Sequence, residues 1–281
     1  MCKAEACGQG VMLRELTHFS ADRTLDCGQA FRFTRVEGGW AGIVGGRRIG
    51  VFQTEDSLLL SGITLPEYQT FWADYFDLRR DYQPLMDRFS EDPTLKEACR
   101  CCPGIRVLRQ EPWEALCSFI ISQNNNIPRI KKIIEALCGA FGSPLADGSG
   151  YAFPTPEQLA SRDVEEIFSK TRCGFRAKYL SDAALRVADG QLPLEQIPLL
   201  PLEEGRKLLM EVKGVGPKVA DCVLLYGMGR VDAFPVDVWI GRILEQYYPE
   251  GFPSELFPWR GIAQQYLFHY IRTLPHQPIA G

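Results

Sequence analysis

The chain has 281 residues, 46% of them hydrophobic, so it is long enough to bury a substantial core in one large domain or two smaller ones. Its net charge of −4 argues against a uniformly basic surface that coats nucleic acid, but it allows a local basic face. We find no signal-peptide pattern at the start and no apolar stretch near the ~20 residues of a bilayer helix. We therefore expect a cytoplasmic protein, associated with the nucleoid if it is bacterial.

Residues from about Leu25 to Leu60 have the pattern of an antiparallel meander. Short β-rich runs such as FRF, WAGIV, RIGVFQ and LLL are separated by the turn sequences EGG, GG and TEDS. From Tyr82 onward, most segments have helical periodicity interrupted by proline and glycine. The pattern predicts an α+β fold, with a small antiparallel β-rich lobe over residues 1–85 and a larger all-helical region over residues 86–281.

The ten cysteines are scattered along the chain, and a protein without an export signal keeps its thiols reduced. Cys99 and Cys102 form a C-x-x-C pair, which invites a zinc or iron–sulfur interpretation. Such a centre needs two further ligands at matching spacing, yet the chain has three histidines and no cysteine after Cys222. We favour buried, inert thiols and predict no metal site.

The helical region begins with two apolar helices around a polar interruption. Residues 111–123 place apolar side chains three and four apart, as a core-facing helix does. Three consecutive asparagines follow and predict a capped turn, with Asn124 as the candidate cap before the helix that Pro128 opens. Further along, Thr155 and Pro156 predict the N-cap and the first residue of another helix.

Residues from about 203 to 228 form a candidate helix–hairpin–helix, in which K-G-V-G joins two helices. Gly214 and Gly216 allow positive φ or close backbone approach, and Pro217 suits the first turn of the second helix. The unpaired N–H groups at that helix start suit a phosphate, bound independently of base sequence. An ordinary interhelical turn is the alternative that this short motif leaves open.

Lys218 and Asp237 are candidate catalytic residues. Lys218 lies where the positive end of the helix dipole disfavours a charged amine, as a nucleophile requires, although a phosphate contact explains it equally well. Asp237 precedes a helix-like run, where most aspartates are simply N-caps. If both side chains face one cleft, the amine can attack an anomeric carbon while the carboxylate stabilises positive charge on the sugar.

These motifs resemble the helix–hairpin–helix DNA glycosylase superfamily and, within it, bacterial-type 8-oxoguanine DNA glycosylases. The stretches that carry the resemblance occur in the family's order: GQAFRF, RVLRQEPWEALCSFI, SFIISQNNNIPRI, RCGFRAKYL, GVGPKVADC and PVDVW. The similarity covers about residues 14–272 and implies a monomeric DNA N-glycosylase and abasic-site lyase in base-excision repair. The implied partner is duplex DNA containing 8-oxoguanine, preferably opposite cytosine. No cofactor is implied, although a monovalent or calcium ion could bind the hairpin carbonyls.

The resemblance also implies a pocket for a base flipped out of the duplex. In it the backbone carbonyl of Gly28 accepts a hydrogen bond from N7–H of 8-oxoguanine, a proton that guanine lacks. Cys222 and Phe268 pack on the two faces of the base, and Gln264 contacts its Watson–Crick edge. From the residues alone, Gly28 is equally a bulge glycine in a strand, and the C-terminal helix is equally a core helix.

Four further positions are implied to hold the strand opposite the lesion. Asn124, Arg129 and Arg176 surround the unpaired cytosine, and Phe175 is the wedge that fills the gap in the stack. The same resemblance makes Lys218 the Schiff-base nucleophile and leaves the two hairpin glycines as phosphate contacts. Plain alternatives are a capped turn for the asparagines and a buried loop aromatic for the wedge.

The chain departs from the family pattern at three positions. Lys213 stands where the hairpin commonly has proline, and Phe175 and Trp239 stand where eukaryotic members have tyrosine and histidine. Two other functions remain open from the sequence. One is a non-catalytic module that holds damaged or bent DNA, and the other is a glycosylase for an alkylated or ring-opened purine.

Overall fold

In the computed structural model, which describes residues 3–274, six strands form one antiparallel sheet near the N-terminus. The strands are β1 (Lys3–Cys7), β2 (Gly10–Arg14), β3 (Phe33–Val36), β4 (Gly39–Val44), β5 (Arg47–Gln53) and β6 (Ser57–Ser61). Their order across the sheet is β1–β2–β6–β5–β4–β3, so β3 and β1 are its edges. The predicted antiparallel lobe is therefore confirmed, with the meander of β3 to β6 inside residues 25–60 or one residue beyond.

Three elements of this lobe escaped prediction from the sequence. Strands β1 and β2 precede the predicted meander, and helix α1 (Ala21–Leu25) lies at its start. Strand β1 is an edge strand whose side chains are mostly exposed, so it lacks the alternation of apolar and polar residues that marks a half-buried strand. Helix α1 is a single turn capped by Ser20, too short to display helical periodicity.

Helices make up most of the remaining chain, so the α+β fold class is confirmed. They are α2 (Leu65–Glu67), α3 (Ala73–Tyr75), α4 (Gln83–Phe89), α5 (Pro93–Cys101), α6 (Pro112–Ser122), α7 (Ile127–Phe141), α8 (Pro156–Ala160), α9 (Val164–Thr171), α10 (Ala177–Ala188), α11 (Leu202–Met210), α12 (Pro217–Tyr226), α13 (Val238–Tyr247) and α14 (Arg260–Thr273). Tyr68–Trp72 is a π-helix between α2 and α3, and Gly174–Arg176, Ile197–Leu199 and Ser254–Trp259 are 3₁₀ turns.

Several helix starts follow the capping rules. The Thr155 side chain accepts from the Gln158 N–H at 3.2 Å and Pro156 opens α8, as predicted. The cap of α7 was assigned wrongly, because the oxygen that accepts from the Arg129 N–H belongs to Asn126, at 3.0 Å, and not to Asn124. Asn124 instead has a φ of +47°, a left-handed conformation that asparagine tolerates better than most residues.

Two apolar clusters fill the molecule, one under the sheet and a larger one among the helices. They interlock along the chain, because Phe31 from the β-lobe belongs to the helical cluster and Leu108 belongs to the cluster under the sheet. The predicted division between residues 85 and 86 stays a prediction. Within residues 3–274, no helix is long and apolar enough to cross a membrane.

Candidate active site

Lys218 lies in the first turn of α12, directly after the hairpin. Gly216 is the N-cap residue and offers no side chain, and Pro217 takes the first helical position. The lysine is half-buried, and its Nζ is 5.6 Å from the centroid of the Phe119 ring. The amine is therefore held at a helix N-terminus against an aromatic face, partly removed from water.

Asp237 is the N-cap of α13, as its sequence context predicted. Its Oδ1 accepts hydrogen bonds from the N–H groups of Trp239 at 3.0 Å and Ile240 at 2.9 Å. Its second oxygen, Oδ2, takes no part in these two capping bonds. A carboxylate at a helix N-terminus is favoured by the helix dipole, so the charge is fixed in place.

One pocket contains both of these side chains and the four residues expected to contact the base. Its described lining consists of Cys27, Gly28, Phe119, Lys218, Cys222, Tyr226, Pro235, Asp237, Gln264, Gln265 and Phe268. The starts of α12 and α13, one face of α14 and the loop before β3 thus converge on it. The structure brings these six candidates together from positions 240 residues apart, while their individual roles stay predictions.

Gly28 lies in the loop between α1 and β3, so the interpretation as a bulge glycine in a strand is wrong. Its φ is +81°, which favours glycine, whereas an added Cβ would meet only Ile127, at 3.7 Å. The next residue fixes the loop: the buried Gln29 side chain donates to the carbonyls of Thr24 and Arg106, each at 2.8 Å. The backbone at Gly28 is thereby held rigidly beside the pocket.

Cys222 and Gln264 form inner walls of the pocket. Burial raises the pKa of the Cys222 thiol to about 11, although the nearby Lys218 amine opposes this shift, so the thiol is neutral at physiological pH. The Gln264 side chain is buried; it donates to the Pro235 carbonyl at 3.1 Å, and its Oε1 lies 3.3 Å from the Tyr226 hydroxyl, which also makes a shorter bond to Gln265 Oε1. These bonds orient the amide and leave one donor and one acceptor site for another molecule.

Sequence reasoning missed five of the lining residues: Cys27, Phe119, Tyr226, Pro235 and Gln265. Tyr226 had a usable signal, since it follows Lys218 and Cys222 at four-residue spacing on one face of α12. Phe119 had none, because it lies inside an apolar helix and resembles any core aromatic. Its place in the pocket wall is visible only in the structure, where its ring centroid lies 5.4 Å from that of Tyr226 and 5.9 Å from that of Phe31.

The residues expected to contact the opposite strand lie near one another, outside the pocket. Arg176 is buried, and its guanidinium donates to the carbonyls of Cys173 at 3.0 Å, Asn124 at 3.1 Å and Gln123. Burial, followed by the positive charge of Arg129, lowers the pKa of Arg176. In this structure Arg176 therefore supports the left-handed turn that presents Asn124.

Phe175 and Arg129 are exposed beside this turn. Phe175 is 49% exposed, and the Arg176 guanidinium lies over its ring at 4.4 Å from the centroid. The Tyr179 ring meets its edge, with centroids 5.8 Å apart. Phe175 is thus not the buried loop aromatic of the plain alternative but a supported aromatic on the surface.

The two hairpin glycines differ in geometry. Gly214 has a φ of +78°, and an added Cβ would overlap the Tyr179 ring. Gly216 has an extended backbone, and an added Cβ would meet no atom within 4 Å. Within residues 3–274, no group of three or more histidine, cysteine or acidic side chains could hold a metal ion. An ion bound by hairpin carbonyls stays a prediction.

Comparison with known proteins shows which families and structures the chain is similar to. A family model described as 8-oxoguanine DNA glycosylase, N-terminal domain, matches residues 11–116, and one described as HhH-GPD superfamily base excision DNA repair protein matches residues 117–251. The N-glycosylase/DNA lyase of Saccharomyces cerevisiae is 41% identical over 194 residues, which are 64% of this chain and 51% of the relative. The chain spans 51% to 62% of the length of three curated relatives.

Two solved structures are similar over almost their whole length. The structure of MBOgg1 in complex with a low-affinity DNA ligand has a TM-score of 0.91 and 44% identity, and the match covers 97% of this chain and 98% of that one. The Clostridium acetobutylicum 8-oxoguanine glycosylase/lyase, in complex with double-stranded DNA containing cytosine opposite 8-oxoguanine, has a TM-score of 0.88 and 37% identity, with 97% of both chains covered. With its paired family models and these full-length matches, the chain belongs to the 8-oxoguanine DNA glycosylase family.

Proposed function

We propose that the protein is a base-excision repair enzyme, a bifunctional DNA N-glycosylase and abasic-site lyase. It flips 8-oxoguanine out of duplex DNA, excises it, and cleaves the abasic strand by β-elimination. The observation that carries this proposal is the shared pocket of Lys218 and Asp237, each fixed at a helix start. A module that only binds DNA needs neither an amine nor a carboxylate in a pocket.

Lys218 acts as the nucleophile when its amine is unprotonated. The nitrogen attacks C1′ of the deoxyribose, the glycosidic bond breaks, and the base leaves with the bonding electrons and takes up a proton. The negative charge of Asp237 stabilises the positive charge that develops on the sugar. Ring opening then gives a Schiff base, and loss of a C2′ proton expels the 3′ phosphate.

The pocket selects the oxidised base through a single acceptor. The Gly28 carbonyl accepts from N7–H of 8-oxoguanine, whereas guanine presents a lone pair there and leaves the carbonyl unsatisfied, at a cost of about 1–3 kcal/mol. Cys222 and Phe268 hold the two faces of the base. Gln264, already oriented by the Pro235 carbonyl, meets the Watson–Crick edge. Together these contacts favour 8-oxoguanine over an alkylated purine as the substrate.

The duplex is held at three places around the flipped nucleotide. The N–H groups at Gly216 and the start of α12 bind a backbone phosphate. Phe175 fills the gap in the stack, and Asn124 with Arg129 donates to the cytosine left behind. The Clostridium relative bound to cytosine opposite 8-oxoguanine supports this pairing. Action as a monomer stays a prediction.

Borohydride trapping on a duplex with 8-oxoguanine opposite cytosine tests the chemistry. The parent protein should form a covalent adduct, and Lys218→Gln should form none. Lys207→Gln, which removes an exposed lysine of α11, is the matched control and should trap like the parent. Base release without an adduct would mean that water is the nucleophile, and neither product would leave the binding module as the better account.

The same assay with the four possible opposite bases tests the preference for cytosine. The parent should excise fastest opposite cytosine, and Arg129→Ala should reduce that preference by about tenfold, because an interaction of this kind is worth about 1–3 kcal/mol. An Arg129→Ala protein that discriminates as well as the parent contradicts the assignment.

A further inference from the structure

Asp182 of α10 contacts both the backbone and the side chain of Lys213 in the hairpin. Its Oδ2 accepts from the backbone N–H of Lys213 at 2.9 Å, and its Oδ1 is 3.4 Å from the Lys213 Nζ. Arg186, one turn along the helix, donates to the same Oδ2 at 3.1 Å. The Asp182 side chain is 13% exposed and that of Lys213 is 70% exposed, so the carboxylate is the anchored partner.

The Asp182 carboxylate stays charged in this setting. Burial acts to raise its pKa, but the hydrogen bonds from Lys213 and Arg186 outweigh burial and lower it. A charged acceptor forms stronger hydrogen bonds than a neutral one, so the backbone of the hairpin is tied firmly to α10. This connection needs a backbone N–H at position 213, which a proline lacks.

A second contact joins the same two elements. Gly214 lies against the ring of Tyr179 so closely that a Cβ would overlap the ring. Tyr179 precedes Asp182 by one helical turn, and its ring also supports Phe175. Since α10 begins directly after the turn that carries Phe175, one short helix holds both the hairpin and the exposed aromatic.

We propose that Asp182 is a positioning residue that fixes the distance between the phosphate-binding hairpin and the Phe175 wedge. The Lys213 ammonium, exposed next to the hairpin amides, adds an ionic contact to the phosphate bound there. The proposal rests on the proposed function, because it assumes that the hairpin and Phe175 engage the duplex together. Flipping a paired base needs both at the correct spacing, whereas cleaving an existing abasic site requires no base to be displaced.

The test compares two reactions of Asp182→Ala under single-turnover conditions. Excision of 8-oxoguanine opposite cytosine should slow by at least about tenfold, while cleavage of a preformed abasic site should change by less than about threefold. Affinity for undamaged duplex should stay equal or rise, because an acidic group near the phosphate has been removed. A merely structural role would slow both reactions equally and lower the melting temperature.

Two variants complete the design. Glu204→Gln removes an exposed carboxylate of α11 and should leave both rates at the parent values. Lys213→Ala keeps the backbone N–H that Asp182 binds, so it should weaken duplex binding and reduce the slope of log K against log salt by about one. Asp182→Ala at the parent excision rate, or equal losses in both reactions, overturns the positioning role. A parent protein without excision activity overturns the proposed function instead.

Discussion

Glu114 of α6 is a buried carboxyl with one cationic neighbour. Its Oε2 is 4.0 Å from Nη1 of Arg32, and that nitrogen has no hydrogen-bond acceptor within residues 3–274. Burial raises the pKa of Glu114 to about 7, the charge of Arg32 opposes the shift, and Glu111 adds to it. The carboxyl is therefore largely neutral in the folded protein at acidic pH, although an exposed glutamate is ionised there.

This shift predicts a pH-dependent stability that Glu114→Gln removes. The folded-state pKa lies above the unfolded value of 4.5, so the contribution is complete below pH 4.5 and is lost as pH rises towards 7. The loss is on the order of 3 kcal/mol, since each pKa unit corresponds to about 1.4 kcal/mol. Urea unfolding at pH 5 and pH 8 should show a smaller decrease for the variant than for the parent. Equal decreases, or the same change in Glu204→Gln, contradict the assignment.

For single residues, the sequence predicted the features that depend only on neighbouring residues. Asp237 is an N-cap because of its place before a helix, and Lys218 and Cys222 share a face because they are four residues apart. The environment of Gly28 was not predictable in this way. Its loop is held by the Gln29 bond to the carbonyl of Arg106, 77 residues along the chain, and no local pattern encodes such a contact.

The hairpin between α11 and α12 has two glycines with different physical demands. Gly214 combines a φ of +78° with close packing on Tyr179, so the fold itself requires glycine there. Gly216 has neither constraint, because its φ of −99° is open to any residue and its Cβ direction is free within 4 Å. The fold therefore does not require glycine at position 216, and we propose that a bound phosphate does.

Alanine substitutions should separate these two demands. Gly214→Ala should destabilise the protein by more than about 1 kcal/mol, since both backbone strain and a steric overlap are introduced. Gly216→Ala should cost less than about 1 kcal/mol, yet weaken duplex binding by about tenfold, because its methyl group would stand before the helix amides. Thermal unfolding and duplex titration of each variant measure the two effects. Gly216→Ala with full affinity contradicts a phosphate contact at this position.

Whole elements were predicted best where their ends carry caps and prolines. Helices α7, α8, α12 and α13 begin within one residue of prolines or caps visible in the sequence. Strand β1 was not predicted because an exposed edge strand needs no alternation of apolar and polar residues. Helix α1 was not predicted because a helix of one turn is too short to show a period. The wrong cap of α7 arose because three successive asparagines offer the same side chain, and only backbone φ distinguishes them.

At the scale of the molecule, residues 17–80 are joined to the segment around Arg106 along a polar seam as well as by apolar packing. Arg106 is buried in this seam and donates to the carbonyls of Thr17, His18, Asp77 and Arg80 at 2.7–2.9 Å. Its guanidinium also lies over a tyrosine ring, 4.1 Å from the centroid. The order of a sheet followed by helices was predictable from periodicity, whereas this seam joins residues up to 89 positions apart and was not.

We therefore expect the two lobes to unfold together and to depend on Arg106. Arg106→Met keeps an apolar stem but leaves four carbonyls without this donor, which should cost on the order of 3–5 kcal/mol. For a chain of this size the melting temperature should fall by roughly 10 °C, with one calorimetric transition retained. Arg100→Met, which removes an arginine that is 72% exposed and paired with Glu97, is the matched control and should change stability by less than about 1 kcal/mol.

Two resolved transitions in the parent, or a loss confined to one transition in Arg106→Met, would mean that the lobes are independent. The seam is also connected to the candidate active site. Gln29 bonds the Arg106 carbonyl and holds the loop of Gly28, so loosening the seam should also displace the Gly28 carbonyl, which we propose distinguishes 8-oxoguanine from guanine. Arg106→Met, assayed below its own melting temperature, should then lose excision of 8-oxoguanine more than cleavage of a preformed abasic site, which needs no base recognition.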